Sequence, residues 1–198
     1  MTDAASHPPR DQLASDPAAA PAGASSTGVP AGSASAGPPP VDASAPMRCP
    51  GAEALQITPA IWSAMVAHCL AAYPDEGCGL LGGDGERGVA RSCYPTTNAA
   101  ASARIYTVAP VDHLRADRKA EARGESIIGV FHSHTHTDAH PSPTDVDQAP
   151  DPSWHYVLVS LRDTHPVVRS YRIVAGTVAE EPVVVVDAVA SATTGGGQ

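Results

Sequence analysis

Basic residues and aromatics are both in short supply in this sequence. Lysine and arginine together number 12 against 21 acidic residues, a formal net charge of −9, and no Lys/Arg-rich run occurs anywhere. Nucleic-acid binding depends on neutralising phosphates with basic side chains, so this balance argues against it. Adsorption to an anionic membrane surface is disfavoured for the same reason. No apolar run approaches the roughly 20 residues that span a bilayer. The N-terminus, MTDAASHPPRDQLASDP, has no basic stretch followed by an apolar one, so no secretory signal is expected. The four cysteines, Cys49, Cys69, Cys78 and Cys93, form no CxxC. That suits free thiols in a reducing compartment, each serving as a small buried hydrophobe. The expectation is a soluble, cytoplasmic protein.

Aromatic side chains make up only 4% of the 198 residues, whereas there are 20 prolines and 17 glycines, so part of the chain is not expected to pack. Residues 1–53 carry most of that bias. They form an Ala/Pro/Ser/Gly-rich tail with too little apolar bulk to offset the entropy of ordering it, and read as disordered. Residues 188–198, ending SATTGGGQ, read as a shorter flexible tail. Residues 54–187 between them read as one domain.

Within that domain, residues 55–58 predict a short strand. Thr58 followed by Pro59 predicts a helix start, a capping hydroxyl before proline at the first helical position. Ile61, Met65 and Cys69, with Trp62, Val66 and Leu70 alongside, predict one apolar helical face, ended by Pro74. His68 falls at the solvated edge of that face. Residues 78–83 predict a buried strand, 88–94 its partner across a polar turn, and 104–108 a further strand. A polar helix over 111–123 is stopped by Gly124. Residues 126–131, SIIGVF, form the continuous apolar run of a central strand. Strands follow at 155–160, 168–173 and 183–186, with turns at 163–166 and at Ala175-Gly176. Strands with helices between some of them indicate a mixed α/β domain with a single sheet flanked by helices.

The chemistry concentrates where the central strand ends, in His132-Ser133-His134. Residues two apart on a strand project from one face, so both imidazoles can reach one ion. Ser142 and Asp145 follow in Ser142-Pro143-Thr144-Asp145. That tetrapeptide has the form of a helix start, with Ser142 as cap, proline in the first turn and an acid favoured by the helix dipole. A third ligand returning after a loop would complete the open arrangement of catalytic zinc, three protein groups plus water. Ser133 faces the other side of the strand and is expected to pack or to bond to backbone.

Two histidines one residue apart, seven intervening residues, then SxxD make a specific pattern. Together with Glu76 in Tyr73-Pro74-Asp75-Glu76-Gly77-Cys78-Gly79-Leu80-Leu81-Gly82, it resembles the signature of the JAB/MPN (JAMM) metallopeptidases, a distant glutamate followed by H-[ST]-H-x7-S-x2-D. The resemblance extends over about residues 55–182. It implies a curved mixed sheet of the cytidine-deaminase-like kind and one Zn2+ per chain held by His132, His134 and Asp145. It further implies Glu76 as the carboxylate that takes a proton from water and passes it to the leaving amine. Ser142 would donate to the developing oxyanion. His136 and His140 are then surplus, because catalytic zinc keeps a position open. Asp75 is expected to be solvated and dispensable. Cys78 has no base of its own and reads as core, and His113 and His155 read as structural or surface residues.

The family usually has proline after the second histidine, where this chain has Thr135. HSHTHTDAHPSPTDV, HYVLVSLRD and RSYRIVAGTVAEEPV look like an actinobacterial branch of the family that also carries threonine there. That branch hydrolyses a cysteine from the C-terminus of the ubiquitin-like sulfur carrier CysO, in cysteine biosynthesis. The implied partner is such a carrier, its glycine-ended tail laid along a sheet edge toward the zinc. Trimming of a C-terminal extension or an isopeptide bond of another ubiquitin-like protein is the alternative within the family, and a non-catalytic scaffold of the same fold is the other. A homodimer is one arrangement open to the domain. Nucleobase deaminases, which also combine zinc with a glutamate base, need HxE and PCxxC, and neither occurs.

Overall fold

The computed structural model describes residues 53–187. The tail expected over 1–53, except for Glu53, and the tail expected over 188–198 lie outside the described residues. In chain order the elements are β1 (Leu55–Ile57), α1 (Pro59–Ala72), β2 (Cys78–Asp84), β3 (Val89–Thr96), α2 (Pro110–Glu121), β4 (Ser126–His134), α3 (Pro143–Asp147), β5 (His155–Ser160), β6 (Val167–Val174), β7 (Thr177–Glu181) and β8 (Val183–Val185). All eight strands join one mixed sheet in the order β7-β6-β5-β4-β2-β3-β1-β8. The class is therefore the mixed α/β, single-sheet arrangement that the element pattern indicated.

The sheet curls strongly, and the connectivity shows why. β7 forms one edge and β8 the other, yet Pro182 alone separates them in sequence. The Pro182 carbonyl accepts from Leu55 N at 2.9 Å, which ties the crossing to β1. Two edges one residue apart require the strands between them to bend almost into a barrel. Beside the crossing, Glu181 accepts from His155 Nδ1 at 2.6 Å, Ser170 Oγ at 2.7 Å and Arg172 Nε at 3.1 Å. Arg172 Nη1 also donates to the Ser153 carbonyl. His155 is thus a buried structural residue, one of the two roles expected of it.

Strand alternation sends neighbouring residues to opposite faces. Leu81, Phe131 and Val157 pack with Met65 and Cys69 of α1, whereas Leu80, Val130 and Leu158 pack with Ala116 of α2 and Tyr171. Each such large apolar side chain contributes about 1.5–3 kcal/mol by leaving water. Helix α1 begins as its sequence indicates, with Thr58 Oγ1 accepting from Ile61 N at 3.3 Å and Pro59 in the first turn. It buries Ile61, Met65, Val66 and Cys69, but Leu70 is 54% exposed, contrary to its expected place on the apolar face. Four-residue spacing drifts around a helix of 3.6 residues per turn, and Leu70 lies about 180° from Ile61. His68 is also not at a solvated edge. It is half-buried, with Nε2 between the carbonyls of Cys78 (3.0 Å) and Thr96 (3.2 Å), and so joins α1 to two strands.

Three other expectations change. Residues 104–108 are not a strand but irregular chain with one isolated bridge, Asn98 to Val108. The Asn98 side chain takes the backbone partners a strand would have needed. Its Nδ2 donates to the carbonyls of Ser102 (3.4 Å) and Ile105 (3.1 Å), and its Oδ1 accepts from the amides of Ala100 and Thr107, both at 3.0 Å. Such side-chain competition is characteristic of asparagine. The central strand β4 runs on to His134, because β2 and β5 pair with it on both sides through His132. Finally, β7 had no hydrophobic signal of its own. It forms because Ala175 (φ 47°) and Gly176 (φ 78°) make a two-residue turn that folds it back on β6.

Candidate metal centre

His132 and His134 lie on β4 at its C-terminal end, both buried, and their rings share the face that alternation predicts. Their Nε2 atoms are 3.2 Å apart. Asp145 meets them from the start of α3, with Oδ1 at 3.3 Å from His132 Nε2 and Oδ2 at 3.4 Å from His134 Nε2. The three donor atoms lie within 4.8 Å of one another, a group able to hold a metal ion. A reciprocal cap aims Asp145 there. Ser142 Oγ accepts from Asp145 N at 3.2 Å, and Ser142 N donates to Asp145 Oδ2 at 2.6 Å. This capping box satisfies two otherwise orphaned amides while holding the carboxylate toward the histidines.

The donor chemistry fits Zn2+. His134 Nδ1 lies 2.9 Å from the Asp138 carbonyl, a contact that fixes its proton on Nδ1 and leaves the Nε2 lone pair facing the group. Burial lowers the His132 pKa and keeps that ring neutral, as a ligand must be. Burial opposes protonation of His134 too, but the Asp145 carboxylate and the Asp138 carbonyl outweigh it and raise its pKa. Burial alone would raise Asp145. Hydrogen bonds from His132, His134 and Ser142 instead hold it well below the usual carboxylate range. Two nitrogens and one carboxylate make a donor set that fits a catalytic zinc with an open position, His134 giving up its proton to a metal that binds there.

Glu76 reaches the same place from the segment that leads into β2. Cys78 pairs with His132, and beyond it Gly77 and Ser133 exchange bonds, Ser133 N to Gly77 O and Gly77 N to Ser133 Oγ, each at 2.9 Å. Glu76 is the next residue beyond those bonds, and it lines the same cleft as His134. Ser133 accordingly makes the backbone-directed bond expected of it. Glu76 is only 4% exposed, and burial pushes its carboxyl up to about 7, with His134 drawing it down and Asp145 pushing it up. Its amide donates to Ser102 O at 2.9 Å, and its carbonyl accepts from Asn98 Nδ2 at 3.0 Å. Glu76, His134 and Ser142 line one cleft of about 540 Å³. Ser142 Oγ accepts its capping bond, which leaves its hydroxyl hydrogen to donate.

The surplus candidates separate cleanly from this group. His136 and His140 are exposed and stand outside the three-donor cluster. Asp75 is half-buried rather than fully solvated and is likewise outside it. Cys78 is buried, its thiol pushed up by that burial and 3.4 Å from Thr96 Oγ1, as a packing residue would be. His113 lies on α2 at 3.7 Å from Asp117. Two residues escaped the sequence reading. Tyr106 stacks on His132 with centroids 4.1 Å apart and planes 18° from parallel. Asn98 holds both the Glu76 carbonyl and the 98–107 loop. The only sequence signals were an asparagine and a tyrosine near each other in a stretch without periodicity.

Comparison with known proteins agrees with this geometry. The family described as prokaryotic homologues of the JAB domain matches residues 58–174. The CysO-cysteine peptidase of Mycobacterium tuberculosis is 46% identical over 126 residues, 63% of this chain and 86% of that protein. The desampylase of Haloferax volcanii is 33% identical over 88 residues, 44% of this chain and 63% of that protein. Among solved structures, a Desulfitobacterium hafniense protein determined in solution superimposes with a TM-score of 0.64 at 34% identity, covering 68% of this chain and 94% of that one. The family match spans more than half of the chain and includes Glu76, the three metal-group residues and Ser142, and the chain belongs to the prokaryotic homologues of the JAB domain.

Proposed function

We propose that the protein is a zinc peptidase that removes a C-terminal cysteine from a ubiquitin-like sulfur-carrier protein. The observation that carries the peptidase reading is the convergence of His132, His134 and Asp145 beside Glu76 and Ser142 at one cleft. The substrate class is supported by 46% identity to a CysO-cysteine peptidase over most of that protein's length. His132, His134 and Asp145 are the ligands in this reading. When bound, Zn2+ supplies Lewis acidity and lowers the pKa of water to about 7.

The chain's own residues do the rest. Glu76, with a carboxyl poised at about 7, takes a proton from the attacking water and returns it to the departing amine as the C–N bond breaks. The products are the carrier with a free C-terminal carboxylate and one free amino acid. The Ser142 hydroxyl donates to the carbonyl oxygen as negative charge grows on it. The scaffold alternative has no use for a complete ligand set beside a buried carboxylate. Among the described residues no helix is long and apolar enough to cross a membrane.

The test is to incubate the zinc-loaded protein with a carrier–cysteine adduct, with and without chelator, and to read intact mass. Loss of one cysteine residue that stops on chelation is the expected result. Release of a longer peptide, or cleavage of an isopeptide-linked conjugate in its place, would move the assignment to the trimming alternative.

A further inference from the structure

The cleft that holds Glu76, His134 and Ser142 is also lined by Arg104. Arg104 is exposed, and among the described residues no carboxylate lies within ion-pair distance of its guanidinium. Its neighbours in the cleft make that conspicuous. Glu76 lines the cleft with it and Asp145 stands beside His134 in the metal group, in a chain of net charge −9. Arginine carries its charge at every working pH and presents a fork of donors matched to a carboxylate.

Arg104 is placed there by its backbone. Ser102 O accepts from Glu76 N at 2.9 Å, and Arg104 N donates to Ser102 Oγ at 3.2 Å. The Ala103 carbonyl accepts from Thr135 Oγ1 at 3.3 Å. The loop is therefore held on one side by the glutamate and on the other by the residue that follows His134. Thr135 can donate to Ala103 while accepting from His136 Nδ1 at 2.7 Å. A proline, usual at this position in the family, has no hydroxyl to do so.

We propose that Arg104 is a carboxylate subsite for the departing amino acid, with Thr135 as its positioning residue. The proposal rests on the functional reading above, in which the leaving group is a single C-terminal residue. Such a group carries a free α-carboxylate two bonds from the departing nitrogen. It must pass close to Glu76, which is left anionic once the amine is protonated, and a cation at the mouth of the cleft offsets the repulsion. An extended chain or an isopeptide-linked lysine presents no carboxylate at that position. The subsite thus favours removal of one terminal residue over cleavage within a chain.

The experiment compares a carrier–cysteine adduct ending in the free acid with the same adduct ending in a carboxamide, by kcat/KM from intact mass, with zinc content measured for each protein. The unmodified protein is expected to prefer the acid by about 10- to 100-fold, the worth of a hydrogen bond to a charged group. In Arg104→Ala the acid-to-amide ratio falls toward one, whereas Arg104→Lys keeps part of it. Thr135→Val lowers the ratio at unchanged zinc content, and Thr135→Ser restores it. An equal rate on acid and amide for the unmodified protein, or a ratio retained in Arg104→Ala, overturns the subsite and leaves the functional reading standing. Turnover of neither adduct, with release of a longer segment from an extended carrier, overturns both.

Discussion

Glu76 lies one short step beyond the bonds between Gly77 and Ser133, just past the end of the pairing of β2 with β4, and lines one cleft with His134. A carboxylate 58 positions earlier in the chain is thereby brought into the electrostatic reach of an imidazole. Ser133, lying between the two histidines and facing away from them, secures the step by accepting from Gly77 N. Gly77 must remain glycine for this, since a Cβ there would lie 2.8 Å from Cys69 Cα of α1.

Replacing Glu76 with Gln keeps the shape of the side chain and removes the proposed base. Turnover is expected to fall by about 10²- to 10⁴-fold, while stoichiometric zinc, measured by metal analysis, is retained. Full activity in that variant would show that the proton acceptor is another group.

Ser142→Ala removes both the cap of α3 and the hydroxyl donor. The lost cap costs about 1 kcal/mol of stability, readable in a urea titration. Loss of the proposed oxyanion donor is expected to lower kcat by about 10²- to 10³-fold. A stability change without the rate change would leave Ser142 with the capping role alone.

Tyr106 fixes the plane of the His132 ring by stacking on it. Tyr106→Ala is expected to weaken zinc binding by about tenfold, the lower range for loss of a group that orients a ligand. Competition with a zinc-sensitive dye measures it, and unchanged affinity would reduce the stack to packing.

Asn98→Ala removes the two amide hydrogens shared among Glu76 O, Ser102 O and Ile105 O, and the oxygen that accepts from the amides of Ala100 and Thr107. A loss of about 2 kcal/mol is expected, together with faster proteolysis within residues 99–107 as the loop opens. Turnover should fall as well, because the same side chain holds the Glu76 backbone.

Burial pushes Glu181 up, but the bonds from His155 and Ser170 and the charge of Arg172 win, and its pKa is lowered. A carboxylate whose folded pKa is depressed adds stability above its unfolded pKa, about 4.3, and loses it as pH falls through the folded value. Glu181→Gln is therefore expected to cost about 3 kcal/mol at neutral pH, as for a broken buried ion pair. The difference from the unmodified protein should shrink below about pH 4. Urea denaturation across pH 3–7 checks this; a pH-independent difference would make the contribution one of packing.

Local patterns in the chain already determined a good deal. Strand alternation set His132 and His134 on one face, and Ser142 with Pro143 marked the helix start that aims Asp145. The apolar run from 126 identified the central strand, and Glu76 stood out only through its resemblance to a family signature. These features depend on spacing over a few residues, which the backbone's periodicity of two or 3.6 converts directly into geometry. What the tertiary structure decided depends on distant segments meeting. Asn98 capturing the backbone of 100–107 erased an expected strand. Tyr106 found His132, and Pro182 closed the two edges of the sheet. Thr135, a departure from the family pattern when read along the chain, gained a physical partner in the Ala103 carbonyl, 32 positions away. No short-range period encodes such a contact, because it exists only once the sheet has curled and brought the two loops to the same end.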